Sequence, residues 1–145
     1  MDVSVMIVDD SLIMIQKLEV LVRDLGYSVV RICRNGEEAV RDYASIKPDI
    51  VMMDITMPGM DGIDALIQIR ERDPDARIIM VTSHGQESMV VRSLEAGAVG
   101  YVLKPVSKER LEAMVTRATK QIPLRKTLPA ADEAKKPNGE DHWTV

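Results

Sequence analysis

The chain has few of the residues that stabilise secreted or aromatic-rich proteins. Among 145 residues it contains no phenylalanine, one tryptophan and a single cysteine, Cys33. One cysteine cannot form an internal disulfide, which fits a reducing cytoplasm as the expected location. With aromatic residues at 3% and ten methionines, the core is expected to be aliphatic and adaptable. Cys33 is interpreted as a small buried hydrophobe rather than as a redox sensor.

Long apolar runs and a basic face are also missing. No run is long enough to span a bilayer, and the N-terminus enters a short strand bounded by Asp9 and Asp10 rather than a signal peptide. We therefore expect no membrane insertion. The net charge of −4 and the pI of about 5.2, with scattered lysines and arginines, disfavour a nucleic-acid partner. At 46% hydrophobic residues, the chain can bury one ordinary core.

Short apolar runs alternate with amphipathic helical patterns. Three runs are continuous, which is typical of strands covered on both faces of a parallel sheet, namely 5–8, 50–53 and 78–81. Two runs are interrupted by Arg31 and Gly100 and are predicted to be edge strands, namely 29–33 and 99–103. A helical pattern follows each run, so five successive βα units predict an α/β fold with a parallel sheet and helices on both faces.

The helical patterns predict helix ends and the domain boundary. Gly26 and Gly97 are expected to end the first and fourth helices, and Ser107 to cap the fifth. The fourth helix is marked by three apolar residues, Met89, Val90 and Leu94. Because the periodicity stops near Ile122, we predict a domain over 1–122 and a flexible C-terminal tail over 123–145.

Polar side chains follow the predicted strands. Asp9 and Asp10 come after the first strand, Asp54 after the third, Thr82 after the fourth and Lys104 after the fifth. Open α/β sheets bind ligands at the carboxyl ends of their strands, so these groups should meet there. Two carboxylates about 4 Å apart repel by about 4 kcal/mol at an effective dielectric of about 20. Lys104 offsets part of this repulsion, and a hard divalent cation such as Mg²⁺ would offset more.

Four segments resemble the signatures of response-regulator receiver domains, with the closest likeness to CheY-like, stand-alone chemotaxis-type regulators. The segments are Val8–Ser11, Met53–Gly62, Val81–Ser83 and Gly100–Pro105. The resemblance covers about residues 3–122. It implies a flavodoxin-like (βα)5 doubly wound parallel sheet with the strand order 2-1-3-4-5.

The resemblance also implies roles for individual residues. Asp54 would accept a phosphoryl group from the phosphohistidine of a sensor histidine kinase or phosphotransfer protein. Asp10 and Asp54 would bind Mg²⁺ directly with the backbone carbonyl of Thr56, and Asp9 would act mostly through water. Lys104 would pair with the phosphoryl oxygens. The protein would be a phosphoacceptor with self-catalysed phosphorylation and dephosphorylation, and not an enzyme.

Signal output is expected at the surface formed by the fourth strand, fourth helix, fifth strand and fifth helix. The resemblance implies that Thr82 would hydrogen-bond the phosphoryl group and that Tyr101 would turn inward behind it. The reshaped surface would then bind a downstream protein target. We expect a monomer or a weak, activation-dependent dimer.

Two alternatives remain at this point. A haloacid-dehalogenase-type phosphatase also uses an aspartyl phosphate, but it needs Asp-x-Asp after the first strand, where this chain has adjacent Asp9 and Asp10. The other alternative is that the chain is a receiver fragment of a larger transcription factor or enzyme-linked regulator. Many winged-helix regulators carry acidic residues before the aromatic of the fifth strand, and 98–100 has none.

Overall fold

The computed structural model describes residues 2–83 and 85–122, which form five successive βα units. The strands are β1 (Ser4–Val8), β2 (Ser28–Cys33), β3 (Ile50–Met53), β4 (Ile78–Thr82) and β5 (Gly100–Leu103). The helices are α1 (Leu12–Asp24), α2 (Gly36–Ile46), α3 (Gly62–Arg72), α4 (Glu87–Glu95) and α5 (Lys108–Gln121). The predicted tail over 123–145 lies outside the described residues.

All five strands form one parallel sheet in the order β2-β1-β3-β4-β5. This confirms the α/β class and the strand order that the resemblance implied, with β2 and β5 at the edges. Every residue of β3 and β4 is buried, which agrees with their continuous apolar sequences. These two strands are therefore covered on both faces, whereas β2 at the edge has three exposed residues.

The helices cover the sheet in two layers, because successive strand residues point to opposite faces. Val5 and Ile7 belong to the core under α1 and α5, together with Leu18 and Leu111. Met6 and Val8 belong to the core under α2 and α3, which includes Leu66. Burying one such leucine fully contributes roughly 1.5–3 kcal/mol. These two cores hold the carboxyl ends of the strands in place.

Most helix ends lie where the sequence predicted them. Gly26 and Gly97 adopt positive φ angles of 88° and 107° just beyond α1 and α4, a conformation that glycine adopts without strain. The Ser107 side chain accepts a hydrogen bond from the Arg110 N–H and caps α5, as predicted. Within residues 2–83 and 85–122, no helix is long and apolar enough to cross a membrane.

The fourth helix differs from the pattern that marked it. Met89, Val90 and Leu94 are only half-buried, and the one buried residue of α4 is Ser93. Val90 and Leu94 line a groove beside β5, whereas Met89 packs against the α2–α3 core. The apolar positions of this helix are therefore divided between two surfaces.

Cys33 is fully buried, as predicted. Its thiol lies 3.7 Å from a carboxylate oxygen of Asp42, to which it donates a hydrogen bond. Burial, together with the negative charge of Asp42, raises the pKa of the Cys33 thiol to about 12. Because the thiolate is the reactive form, a pKa this high agrees with the interpretation of Cys33 as a buried hydrophobe rather than a redox sensor.

Candidate functional site

Backbone hydrogen bonds bring the ends of the strands together. The Asp54 N–H donates to the Val8 carbonyl at 2.9 Å, which ties the end of β3 to β1. The Lys104 N–H donates to the Thr82 carbonyl at 2.9 Å, which ties the end of β5 to β4. The residues that follow these strands therefore meet at one rim, as the parallel sheet predicted.

Three carboxylates converge at this rim. One carboxylate oxygen from each of Asp9, Asp10 and Asp54 lies within 4.8 Å of the others. Asp9 and Asp54 are buried, with exposed fractions of 1% and 7%, whereas Asp10 is exposed. Three negative charges at this spacing repel strongly, so the cluster favours a bound cation.

Lys104 is the cationic side chain that faces the cluster. Its Nζ lies 3.0 Å from Oδ2 of Asp9 and 3.6 Å from Oδ1 of Asp54. The other oxygen of Asp9 accepts a hydrogen bond from the Ser11 N–H at 2.9 Å. Both Asp9 oxygens thus have a partner, whereas Asp10 is exposed. One ammonium against three carboxylates leaves a net negative site with oxygen ligands, which suits Mg²⁺.

The pKa of the Asp54 carboxyl depends on burial and on the charges around it. Burial raises the pKa of the Asp54 carboxyl above its usual value, and the charge of Asp9 raises it further. Lys104 and hydrogen bonds from the Thr82 hydroxyl and the Ile55 N–H act in the opposite direction. Because the raising effects dominate, Asp54 is a buried carboxylate whose negative charge is only partly compensated by the protein.

Thr82 and Tyr101 lie on the β4–β5 side of the site. Thr82 is fully buried and hydrogen-bonds the Asp54 carboxylate itself, whereas the sequence predicted its contact only to a phosphoryl group. Tyr101 is half-buried and packs against the α2–α3 core. Burial raises the pKa of the Tyr101 hydroxyl, and the negative charge of Asp54 raises it further. Tyr101 is therefore electrostatically coupled to Asp54.

Gly62, the first residue of α3, is a positioning residue that the sequence did not single out. The Gly62 N–H donates to the Ile55 carbonyl at 2.7 Å, and a Cβ at Gly62 would lie 2.0 Å from the Asp54 carbonyl oxygen. Only glycine therefore allows α3 to begin so close behind Asp54. Thr56, whose carbonyl is the expected metal ligand, is an exposed residue of the loop between Asp54 and Gly62. The repeated glycines of the segment 53–62 were the available signal.

A second missed residue is Arg34, which follows β2. Its Nη2 donates to the Asp10 carbonyl at 3.0 Å and so holds the backbone that presents the Asp10 carboxylate. This contact could not be predicted from a single arginine after an edge strand. Arg34 and Asp10 lie close together only because β2 pairs with β1 in the sheet.

Comparisons with known proteins agree with this arrangement. Residues 5–116 match the family model described as response regulator receiver domain. The chemotaxis protein CheY of Listeria monocytogenes is 42% identical over 117 residues, which cover 81% of this chain and 98% of that protein. CheY of Thermotoga maritima is 42% identical over 116 residues, which cover 80% and 97%.

Solved structures give the same result. A chain of the CheX–CheY–BeF3–Mg²⁺ complex from Borrelia burgdorferi superposes with a TM-score of 0.76 at 37% identity, covering 79% of this chain and 87% of that one. The family match decides between the receiver and the phosphatase in favour of the receiver. The chain belongs to the response regulator receiver family and is a two-component response regulator homologous to the stand-alone CheY proteins over nearly their whole length.

Proposed function

We propose that this response regulator accepts a phosphoryl group on Asp54 from the phosphohistidine of a sensor histidine kinase or phosphotransfer protein, with Mg²⁺ as cofactor. The observation that carries the proposal is the convergence of the Asp9, Asp10 and Asp54 carboxylates within 4.8 Å, with Lys104 only 3.6 Å from Asp54. An Asp54 oxygen would attack phosphorus as the bond to histidine nitrogen breaks.

Lys104 and Thr82 would have separate roles in this transfer. Phosphoryl transfer depends on positioning and on neutralising charge at the transferred group. Lys104, already between Asp9 and Asp54, can pair with a phosphoryl oxygen. The Thr82 hydroxyl can move its hydrogen bond from the Asp54 carboxylate to the phosphoryl group.

Mg²⁺ fits the donor set at this rim. Asp10, Asp54 and the Thr56 carbonyl would hold it, and Asp9 would contribute mostly through water, since both Asp9 oxygens already accept hydrogen bonds. When bound, the ion supplies the positive charge that Lys104 alone does not provide. Burial of Asp54 raises its pKa, so the ion would also favour the ionised, nucleophilic carboxylate.

The signal would leave through the surface formed by β4, α4, β5 and α5. A groove of about 270 Å³ lies there, with apolar walls that include Val90, Leu94 and Tyr101 and with Arg110 and Arg117 at its edge. Phosphorylation would reshape this groove through Thr82 and Tyr101, and a downstream protein would bind it. Since the Listeria monocytogenes and Thermotoga maritima relatives described above are chemotaxis proteins, we propose that the pathway is chemotactic.

We also propose the location, the class and the oligomeric state that the sequence led us to expect. The protein acts in the cytoplasm as a phosphoacceptor and not as an enzyme, beyond catalysing its own phosphorylation and dephosphorylation. It is a monomer or a weak, activation-dependent dimer, and it has no nucleic-acid partner.

Intact-mass spectrometry after incubation with acetyl phosphate tests the proposal. We expect one phosphoryl adduct with Mg²⁺, none with EDTA, and none in Asp54→Asn. Asp64→Asn is the matched control, because Asp64 is an exposed aspartate in the first turn of α3 and should leave the adduct unchanged. An adduct retained in Asp54→Asn, or formed equally in EDTA, would refute the proposed chemistry.

A further inference from the structure

The helix α4 is held less firmly than the other four helices. Each of α1, α2, α3 and α5 buries at least three residues, whereas α4 buries only Ser93. The other helices are also capped at their N-termini by side chains, from Ser11, Asn35, Asp61 and Ser107. Gln86, at the cap position of α4, makes no such hydrogen bond. Both differences weaken the docking of α4.

The single buried residue of α4 is polar. Ser93 is 0% exposed, and its hydroxyl has no hydrogen-bond partner within residues 2–83 and 85–122. Met89 and Ala96 lie four residues before and three after it, on the same helix face, and both pack against the α2–α3 core. A hydroxyl buried against apolar neighbours without a partner destabilises the position that buries it.

The two ends of α4 are held unequally. At the C-terminal end, the Ala98 N–H donates to the Ser93 carbonyl and the Gly97 N–H donates to the Leu94 carbonyl, both at 3.0 Å. The N-terminal end, which lacks a side-chain cap, follows the loop that leaves Thr82. The weakly held end is therefore the end nearer the phosphorylation site.

We propose that the unpaired Ser93 hydroxyl keeps α4 weakly docked and so sets how readily this helix leaves the sheet. A displaced α4 exposes the hydroxyl to water, which satisfies it. The regulatory part rests on the proposed function: phosphorylation at Asp54 would favour the displaced position, and Ser93 would set its population before phosphorylation. Replacing the hydroxyl should then stabilise the docked, inactive position.

Amide hydrogen exchange by NMR tests the docking in the unphosphorylated protein. We expect amides 90–96 to exchange at least about tenfold faster than those of α3, since local opening exposes weakly packed segments first. Ser93→Ala should slow exchange in α4 by about tenfold, which corresponds to about 1.4 kcal/mol. Equal exchange rates in α3 and α4 of the unsubstituted protein would overturn the proposal.

Ser88→Ala is the matched control. Ser88 is an exposed serine of the same helix, so both substitutions gain the higher helix propensity of alanine, but only Ser93→Ala removes a buried hydroxyl. We expect Ser88→Ala to slow exchange by less than about threefold. If the two variants slow exchange equally, the buried hydroxyl has no special effect and the proposal is wrong.

Beryllofluoride with Mg²⁺, a stand-in for the phosphoryl group, tests the regulatory part. If α4 must leave its docked position, Ser93→Ala should weaken beryllofluoride binding by the same factor by which it slows exchange. Unchanged affinity in Ser93→Ala would refute the coupling. If beryllofluoride does not bind the unsubstituted protein, the proposed function fails, while the exchange result still decides whether Ser93 weakens α4.

Discussion

The helices α3 and α4 lie in the same layer, yet they are built differently. The N-terminus of α3 is capped by Asp61, and the helix buries five residues, among them Leu66 and Ile69. The N-terminus of α4 has no side-chain cap, and the helix buries Ser93 alone. The helix after Asp54 is thus firmly docked, whereas the helix after Thr82 is loosely docked.

This difference matches the two tasks that we propose for the site, phosphoryl transfer and signal readout. Phosphoryl transfer needs carboxylates held in fixed positions, which β1, β3 and α3 provide. Readout needs an element with two accessible positions of similar free energy, because only such an element can be shifted by a modest change at Asp54. Lys104, which follows β5, and Thr82, the last residue of β4, connect the two halves through their contacts with Asp54.

The largest expected change in stability is the difference between replacing a leucine of α3 and replacing a leucine of α4. Leu66→Ala in α3 should lower the free energy of unfolding by about 3–4 kcal/mol, because it leaves a cavity in a rigid core. Leu94→Ala in α4 should cost only about 1 kcal/mol, because that side chain is half-buried beside an open groove. Urea denaturation measures both. Similar losses in the two variants would contradict the difference between α3 and α4.

A smaller change in stability is expected when the charge of Asp54 is removed. The pKa of the Asp54 carboxyl is raised in the folded protein, so folding favours the protonated carboxyl. The stability that this preference contributes is lost as the pH rises from 3.8, the usual pKa of an aspartate, through the raised pKa of the folded state. Asp54→Asn should therefore be more stable than the unsubstituted protein at pH 7, by on the order of 1 kcal/mol. The gain should disappear below pH 3.8.

The measurement is the unfolding midpoint as a function of pH, with Asp64→Asn as the exposed control. Adding Mg²⁺ should raise the midpoint of the unsubstituted protein more than that of Asp54→Asn, because the ion stabilises only the state that binds it. An Asp54→Asn variant less stable than the unsubstituted protein at pH 7 would show that Lys104 compensates the Asp54 charge fully.

Much of the fold could be predicted from local sequence. Continuous apolar runs gave the central strands, and Gly26, Gly97 and Ser107 marked helix ends, because these signals depend on neighbouring residues. The strand order came from the resemblance to receiver domains, since periodicity alone does not say which strands are neighbours. Parallel strands have their carboxyl ends at the same edge of the sheet. Asp9, Asp54 and Lys104, which each follow a strand, could therefore be predicted to lie close together.

The remaining features depend on contacts between distant segments. Helical periodicity marks apolar positions but not which surface each one faces, so it missed the burial of Ser93 and the exposure of Val90 to the groove. The bond from Arg34 to the Asp10 carbonyl and the close approach of Gly62 to Asp54 arise only when the sheet is assembled. The hydrogen bond between Thr82 and the Asp54 carboxylate was missed for the same reason.

We infer that Thr82 connects the chemistry proposed at Asp54 to the loosely docked helix α4. Phosphorylated or beryllofluoride-loaded Thr82→Ala, compared by NMR with Ser83→Ala as the exposed neighbouring control, tests it most directly. We expect Thr82→Ala to accept the phosphoryl group on Asp54 and yet to lose most of the activation-dependent shifts at Tyr101 and in α4. Ser83→Ala should keep those shifts. Intact shifts at Tyr101 and in α4 of loaded Thr82→Ala would show that Thr82 does not connect Asp54 to α4.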